Sequence, residues 1–416
     1  MLTVTEAQAR ILAEVIELSN EPVALAQSYG RILAQDLVSP RDVPPWDNSA
    51  MDGYAVSAGD TSEVGVSLHI NETIGAGDVG TVVVKAGTTS AIMTGAPVPE
   101  GADAVVMVEN TDGATEGAVH IRGRARVGDH IRPRGGDVAV GDVVLRAGQT
   151  LTPNRVGLVA SLGFAEVEVR RRPVVAILST GDEVVAPGRT LGPGQIYSSN
   201  NFALAGLILE AGAEPKDMGN APDDLDALVA HLRGCLDADV VLTTGGVSVG
   251  VYDFVKDAYG ALGAEMDFWK VKMQPGKPLA FGRVQHEGRT IPLFGLPGNP
   301  VSCAVNFLQF VRPYLRTALG DPRPYLPMLD AVAGEDFHGR PGRLRLIRVR
   351  LEMLNGVWTA RSTGSQSSGV LMSMARADGL MCVDTEAEAP KRGEPVRVQL
   401  LDAGFLTGAG PGYHST

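Results

Sequence analysis

The spacing of hydrophobic positions changes character along this chain. Near the start, Ile11, Leu12, Val15, Ile16 and Leu18 recur at helical intervals. Thr5 and Gln8 have the spacing of a capping box, so residues 5–18 are predicted as an amphipathic helix. A second helical piece is expected over Leu25–Leu37, ending at Ser39-Pro40. Residues 64–150 carry short β-branched runs (Val82–Val84, Ala104–Val108, Val119–Ile121, Val143–Leu145) separated by Gly, Asp and Pro, which predicts a small all-β module. Residues 151–172 return to a helical reading and end in Arg170-Arg171-Arg172-Pro173, read as an exposed linker. From Pro173 the pattern alternates. Strands are expected at Val174–Leu178, Glu214–Met218, Val240–Leu242, Pro278–Gly282 and Ile291–Phe294. Helices are expected at Phe202–Ala211 (capped by Ser198-Ser199-Asn200), Leu225–Leu236 (capped by Asp223 or Asp224) and Val251–Leu262. A last one runs from Pro300, with Asn299 at its cap, to about Leu319, kinked at Pro313. Strands alternating with helices predict a doubly wound, mostly parallel sheet. Residues 326–402 read as β again, with Arg343, Arg345, Arg348 and Arg350 on one strand that has a bulge between the two pairs. Val370–Ala377 reads as a short helix, and the Gly-rich tail from Leu406 as loose.

Composition narrows the class. The 416 residues are too many for one ordinary core. A net charge of −12 argues against a general nucleic-acid or acidic-membrane partner, so an anionic ligand must be held by local groups. Cys235, Cys303 and Cys382 lack CxxC spacing, which gives neither a zinc site nor a disulfide framework and suits a reducing cytoplasm. The first residues carry Glu6, Glu14 and Glu17 with no basic stretch, unlike a signal peptide, and no apolar run approaches the ~20 residues of a membrane span.

Candidate chemistry gathers in loops. Ala238–Asp253, ADVVLTTGGVSVGVYD, reads as strand, glycine-rich turn, helix. That unit can cradle a phosphate, because glycine lets the backbone approach a ligand and a helix start offers free N–H groups. It matches neither GxGxxG nor GxxxxGK[ST], and it is also compatible with a tight turn alone. In an open α/β sheet, ligands sit at the carboxyl ends of the strands. Loops Thr180–Glu183, Asn220–Asp224, Thr243–Asp253 and Leu296–Ser302 leave such ends and carry Asp182, Glu183, Asp223, Asp224 and Asp253. Carboxylates beside a phosphate cradle make sense with Mg²⁺, which bridges the two kinds of oxygen; otherwise they are caps and solvated turns. Lys270 and Lys277 follow closely and could supply positive charge. Outside this region, Val43–Val56 is a polar loop bearing Trp46, Asp47, Asn48, Asp52 and Tyr54. Met93–Pro97 puts a hydroxyl beside a glycine turn, and Arg132–Asp137 reads as a hairpin tip.

PPWDNSAMDGYAV at 44–56, STGDE at 179–183, TGGVSVG at 244–250, PGKPLAFG at 275–282 and GLPGNPVS at 295–302 together resemble the molybdopterin molybdenumtransferase family, to which the C-terminal domain of gephyrin belongs. The resemblance runs from about residue 5 to about residue 402. It implies a helical layer (1–45 and 146–172), an inserted β domain (46–145), an α/β domain (173–325), a C-terminal β-barrel (326–404) and a tail (405–416). It implies a cytoplasmic homodimer that inserts molybdenum from molybdate into adenylylated molybdopterin, with Mg²⁺, and releases AMP. The molybdopterin adenylyltransferase and molybdoenzymes are the protein partners it implies. Carried onto matching positions, the family's functional residues are Asp52, Thr94, Asp137, Glu183, Asp223, Asp253, Lys270, Lys277, Pro297, Pro300 and Ser368. Asp224 and Ser367 are the alternatives to Asp223 and Ser368. Gly245, Gly246, Ser248 and Asn299 would bind phosphate and pterin, and Glu183 and Asp253 would hold the metal. Asp52 and Thr94 would come from the partner subunit. Gln274 stands where the family often has a lysine, and Lys272 is the candidate replacement.

Two other readings are open. A molybdopterin adenylyltransferase shares the α/β domain but typically has GGTG where this chain has GGVS at 245–248. A non-catalytic scaffold of the gephyrin kind would carry a long linker and an additional domain.

Overall fold

The computed structural model describes residues 1–246, 254–402 and 406. The chain divides into two compact units, one made of Pro22–Tyr29 and Gln35–Glu168, the other of Met1–Glu21, Gly30–Ala34 and the residues from Val169 onward.

The first unit is built on a six-stranded sheet in the order Ala104–Met107, Gly53–Val56, Thr88–Ile92, Val66–Ile74, Ala118–Ile121, Thr111–Thr115. Side chains alternate across it as strand geometry requires. Tyr54 and Val56 pack with Leu68, Val106 and Ile121 on one face, and Ala55 packs with Ile74, Ile92 and Val105 on the other. The Val82–Val84 run forms no strand; Val82 and Val83 are exposed, and Val84 is held by one bond to Glu100 O. The helix expected over Leu25–Leu37 does not form either. A single 3₁₀ turn, Leu25–Gln27, stops before Gly30 at φ +73°, which no α-helix accommodates, and Leu37–Val38 is a strand. Of residues 151–172, only Pro153–Ser161 is helical; Gly163 ends it, and Glu166–Arg170 is a strand.

The second unit opens with the helix Val4–Ala13. Its capping box is Thr3 with Glu6, not Thr5 with Gln8. Val15, Ile16 and Leu18 leave the helix and pack on Ile32, Ala318 and Leu319. The central sheet runs Glu214–Ala221, Val174–Thr180, Val240–Thr244, Arg289–Leu296, Pro278–His286, Glu265–Lys270. The first four strands are parallel, and Pro278–His286 pairs antiparallel with both of its neighbours, Arg289–Leu296 and Glu265–Lys270. The change of direction has a local cause. Pro278–His286 and Arg289–Leu296 are joined by Glu287-Gly288, both at positive φ, a two-residue hairpin turn too short for a parallel crossover. Val175 and Ile177 face one core with Leu204, Ile208 and Phe294, while Ala176 and Leu178 face another with Leu228, Leu232 and Tyr259. The triple-arginine segment is no free linker. Arg171 forks onto both oxygens of Asp239 at 2.8 Å each, and Val174 N donates to the same carboxylate. That pins the starts of two neighbouring strands.

The last helical run is continuous but changes pitch: α over Pro300–Asn306, π over Phe307–Val311, α over Arg312–Ala318. Pro313 has no N–H to offer the carbonyl four residues back, and Gln309 O accepts Gln8 Nε2 at 2.9 Å instead. Beyond it, Leu344–Leu354, Val357–Ser362, Met328–Ala333, Pro395–Leu400 and Gly379–Val383 close into a five-stranded barrel. The ladder from Arg345 to Val349 is unbroken, so no bulge separates Arg345 from Arg348. Both are buried because both faces of this strand are covered: Leu346 joins the central core and Ile347 the barrel core. Arg343 precedes the strand and Arg350 is exposed. Among the described residues no helix is long and apolar enough to cross a membrane.

Candidate functional site

The carboxyl ends of the four parallel strands share one edge of the sheet, and a cavity of about 800 Å³ lies there. Its walls are Ser179–Gly181, Glu183, Asp223, Thr244–Gly246 and Pro297–Pro300, joined by Tyr197–Asn200 and by Gly369 and Leu371 from the barrel side. The four loops singled out in the sequence are therefore brought to one place. Gly245 and Gly246 take φ +101° and +62°, and a Cβ on Gly245 would lie 2.7 Å from Thr180 Oγ1 and 2.8 Å from Thr180 O. Only glycine fits. Ser248 and Asp253 lie outside the described residues.

Asp224 accepts from Ala227 N at 2.9 Å and caps Leu225–Cys235, which leaves Asp223 free to face the cavity. Burial first, then the charges of Asp182 and Glu183, raise the Asp223 carboxyl above its ordinary value. Gly181, at φ +128°, leaves room for the Glu183 carboxylate to fold back over it. Crowded carboxylates of this kind call for a hard cation. Among the described residues no three His, Cys, Asp or Glu side chains converge as a complete metal cage, so such an ion would take further ligands from a bound phosphate. A pH dependence follows. A raised carboxyl pKa means that the folded state binds this proton more readily than the unfolded chain. As pH falls from neutral into the Asp223 range, Mg²⁺ affinity should drop while the ligand-free protein gains stability. Mg²⁺ titration calorimetry and thermal melts across that range check both signs; parallel losses would contradict the assignment.

Two helix starts face the same cavity. Ser199 and Asn299 stand at the N-cap positions of Asn200–Glu210 and Pro300–Asn306 as expected, yet neither side chain makes a cap bond. Pro300 occupies the first helical turn as expected. Val301 N donates to Ser368 O at 3.2 Å, so Ser368 meets this helix through its carbonyl, while Ser367 O accepts Arg348 Nη2 at 3.1 Å.

Lys270 and Lys277 are not on the cavity wall. Lys270 pairs opposite Pro278 on the edge strand, with two strands between it and Val240–Thr244, and Lys277 is held by its carbonyl to Val271 N. Two buried arginines border a second cavity of about 380 Å³, lined by Gln274, His338, Arg345, Arg348, Ser362 and Gln366 and also by the carboxylates Glu335 and Asp336. Burial pulls the Arg348 guanidinium down to about 10, still charged at neutral pH. Arg345 Nη2 donates to Ala387 O at 2.7 Å, but its Nε and Nη1 are buried without a partner among the described residues. Arg345 is paired with Gln274 in the ladder, so the cation beside Gln274 is Arg345 rather than Lys272, which is absent from this lining.

In the first unit, Thr94 N and Oγ1 both donate to Asp52 Oδ1, at 2.7 and 2.9 Å. The backbone bond first, then the hydroxyl, lower the Asp52 carboxyl below its ordinary value. Asp137 is exposed, its N–H bonded to Val43 O at 3.0 Å. Sequence reading passed over Tyr197, Asn200, Gly369 and Leu371. Only Asn200 has a signal, the Ser198-Ser199-Asn200 run, whose residue types predict a cap.

Comparison with known proteins agrees with this architecture. The MoeA N-terminal region (domain I and II) matches residues 2–163, the probable molybdopterin binding domain residues 176–317, and the MoeA C-terminal region (domain IV) residues 330–401. The chain is similar to molybdopterin molybdenumtransferase 2 of Mycobacterium tuberculosis, 42% identical over 96% of this chain and 99% of that protein. It is 36% identical to molybdopterin molybdenumtransferase of Bacillus subtilis, over 96% of this chain and 94% of that one. The crystal structure of a molybdopterin biosynthesis moeA protein from Pyrococcus horikoshii OT3 superposes with a TM-score of 0.82 at 29% identity, covering 96% of this chain and all of the other. With three successive matches and whole-length relatives above 30% identity, the chain belongs to the molybdopterin molybdenumtransferase family, transferases of molybdenum cofactor biosynthesis.

Proposed function

We propose that the cavity at the sheet's carboxyl edge holds the phosphate and pterin of adenylylated molybdopterin, and that molybdenum insertion releases AMP there. One observation carries this reading: a glycine loop and two helix starts without side-chain caps border a cavity that also carries Glu183 and Asp223. Free N–H groups at the start of Asn200–Glu210 suit phosphate oxygens, and the carboxylates suit a Mg²⁺ ion bound with it. Glu183, with Asp223 beside it and Asp253 as the family match, would hold that ion. Bound there, Mg²⁺ would supply charge neutralisation on the phosphate that leaves as AMP. Gly245 and Gly246 let the backbone close on the phosphate, Asn299 and Pro300 present the second helix start, and the barrel loop at Gly369 borders the same space. Purified protein incubated with adenylylated molybdopterin, Mg²⁺ and molybdate should release AMP only when molybdate is present. ATP consumption would instead indicate an adenylyltransferase, and no turnover a scaffold.

Arg345 and Arg348 offer a place for the oxyanion substrate. The unpaired buried donors of Arg345 favour a tetrahedral dianion. The loop around Gln366 borders this second cavity, and its end at Gly369 borders the first. Arg345→Met is expected to raise the molybdate KM about tenfold, the scale of one lost charge-assisted bond, at unchanged AMP affinity. An unchanged molybdate KM would remove Arg345 from this role. Lys270 and Lys277 then act, if at all, outside the cavity wall.

Asp52 and Thr94 carry the reading of an ionised base-like pair that serves substrate held by another copy in a cytoplasmic homodimer, with Asp137 and Ser368 as accessory positions. Asp52→Ala should lose most AMP release while AMP still binds. Intact turnover in that variant would discard the role. The adenylyltransferase would deliver the substrate and molybdoenzymes take the product.

A further inference from the structure

The register between Val240–Thr244 and Arg289–Leu296 ends with Thr244 opposite Leu296. Past that point the backbones become the glycine loop and the Pro297–Pro300 turn, and they stay together through other bonds. Gly245 N donates to Leu296 O at 3.1 Å, and Thr244 Oγ1 to Pro297 O at 3.3 Å. The last link comes from a third element. Asn200 Nδ2, at the start of Asn200–Glu210, donates to Thr244 Oγ1 at 2.7 Å and to Gly298 O at 2.9 Å. The orientation of this amide is dictated by its partners, because Gly298 O can only accept. The loops touch at that point: a Cβ on Gly298 would lie 3.5 Å from Gly245 Cα.

We propose that Asn200 is a positioning residue of the anion site, whose amide fastens the glycine loop to the Pro297–Pro300 turn and so sets the width of the gap that receives the phosphate. The proposal rests on the AMP-releasing reading of the cavity. Its logic is local. Without Asn200, Thr244 Oγ1 keeps Pro297 O as a partner, and Gly298 O opens toward the cavity and its water. The fold therefore loses little, while the gap loses its outermost tie.

The test measures AMP binding by calorimetry on the full chain, for wild type, Asn200→Ala, Asn200→Asp, Thr244→Ala and the Asn200→Ala/Thr244→Ala pair. Asn200→Ala should weaken AMP about tenfold, the scale of one or two lost hydrogen bonds, with the ligand-free melting temperature nearly unmoved. Asn200→Asp keeps the shape but turns an acceptor toward Gly298 O, and should do the same; it serves should the alanine variant not fold. Thr244→Ala should weaken AMP on its own but add less than its full factor in the pair, because the shared link is already gone. In the molybdate-dependent assay kcat should fall more than KM rises. AMP affinity equal to wild type in both Asn200 variants, or effects that multiply as independent factors, would overturn the positioning role alone. Failure of the wild-type protein to bind AMP would overturn the reading of the cavity and this role with it.

Discussion

Glu183→Gln is expected to lower molybdate-dependent AMP release by about 100- to 1,000-fold, the range for removing one preorganised charge-stabilising group. The substitution keeps size and shape but takes away the charge. Glu183 stands on the loop after Val174–Thr180, lines the main cavity and adds to the repulsion that raises the Asp223 carboxyl. Two consequences should therefore separate. Mg²⁺ binding and turnover should collapse together, because the proposed site loses one hard ligand. The Asp223 carboxyl should move back toward its ordinary value, because one of its charged neighbours is gone. Mg²⁺ titration, turnover assays and a pH series on the same variant read both. Asp224→Asn is the matched comparison: Asn caps a helix almost as well as Asp, and Asp224 is occupied with Ala227 N, so turnover there should stay near wild type. Full activity in Glu183→Gln would remove it from the metal site.

Gly245→Ala should abolish AMP binding altogether. The backbone at φ +101° alone costs an alanine about 1–3 kcal/mol. The new methyl would also meet Thr180 O at 2.8 Å, a backbone atom at the end of a buried strand that has nowhere to go. The loop must then lift off the strand ends that border the cavity. Gly263→Ala separates the two causes. That residue has φ +74° but nothing within 4 Å of a Cβ, so only the backbone cost applies. The Gly263 variant should lose some thermal stability and keep its AMP affinity; the Gly245 variant should lose both. Equal AMP affinities would mean that the glycine loop is a turn and no cradle.

Much of the α/β unit was legible in the chain because its signals are local. Val174–Leu178 and Val240–Leu242 are unbroken apolar runs, Asp224 is followed by a periodic segment, and Pro300 stands where a helix begins. The misreadings were local ambiguities that packing resolved. Thr5 with Gln8 had capping spacing, but Thr3 with Glu6 has the same spacing two residues earlier and wins by forming both bonds. Leu25–Leu37 held enough apolar residues for a helix, and the positive φ at Gly30 excluded it. The spacing of Arg345 and Arg348 predicts a bulge between them. Closure of the barrel buried them, and one cannot read from residues 343–350 that Gly379–Val383 will cover one side and Met273–Gln274 extend the other.

What the sequence determined by itself was which segments of the α/β unit make strands and helices and which loops carry glycine and carboxylate. These depend on spacing along the chain, so the chain displays them. Tertiary structure alone decided which loops meet. Four strand ends became one edge because the sheet order places Val174–Thr180, Val240–Thr244 and Arg289–Leu296 side by side. Asn200 became a tie between two of these loops, and Lys270 was carried to the far edge of the sheet. Such outcomes rest on contacts between residues tens of positions apart, whose free energy belongs to the packed whole and leaves no periodic trace in the chain.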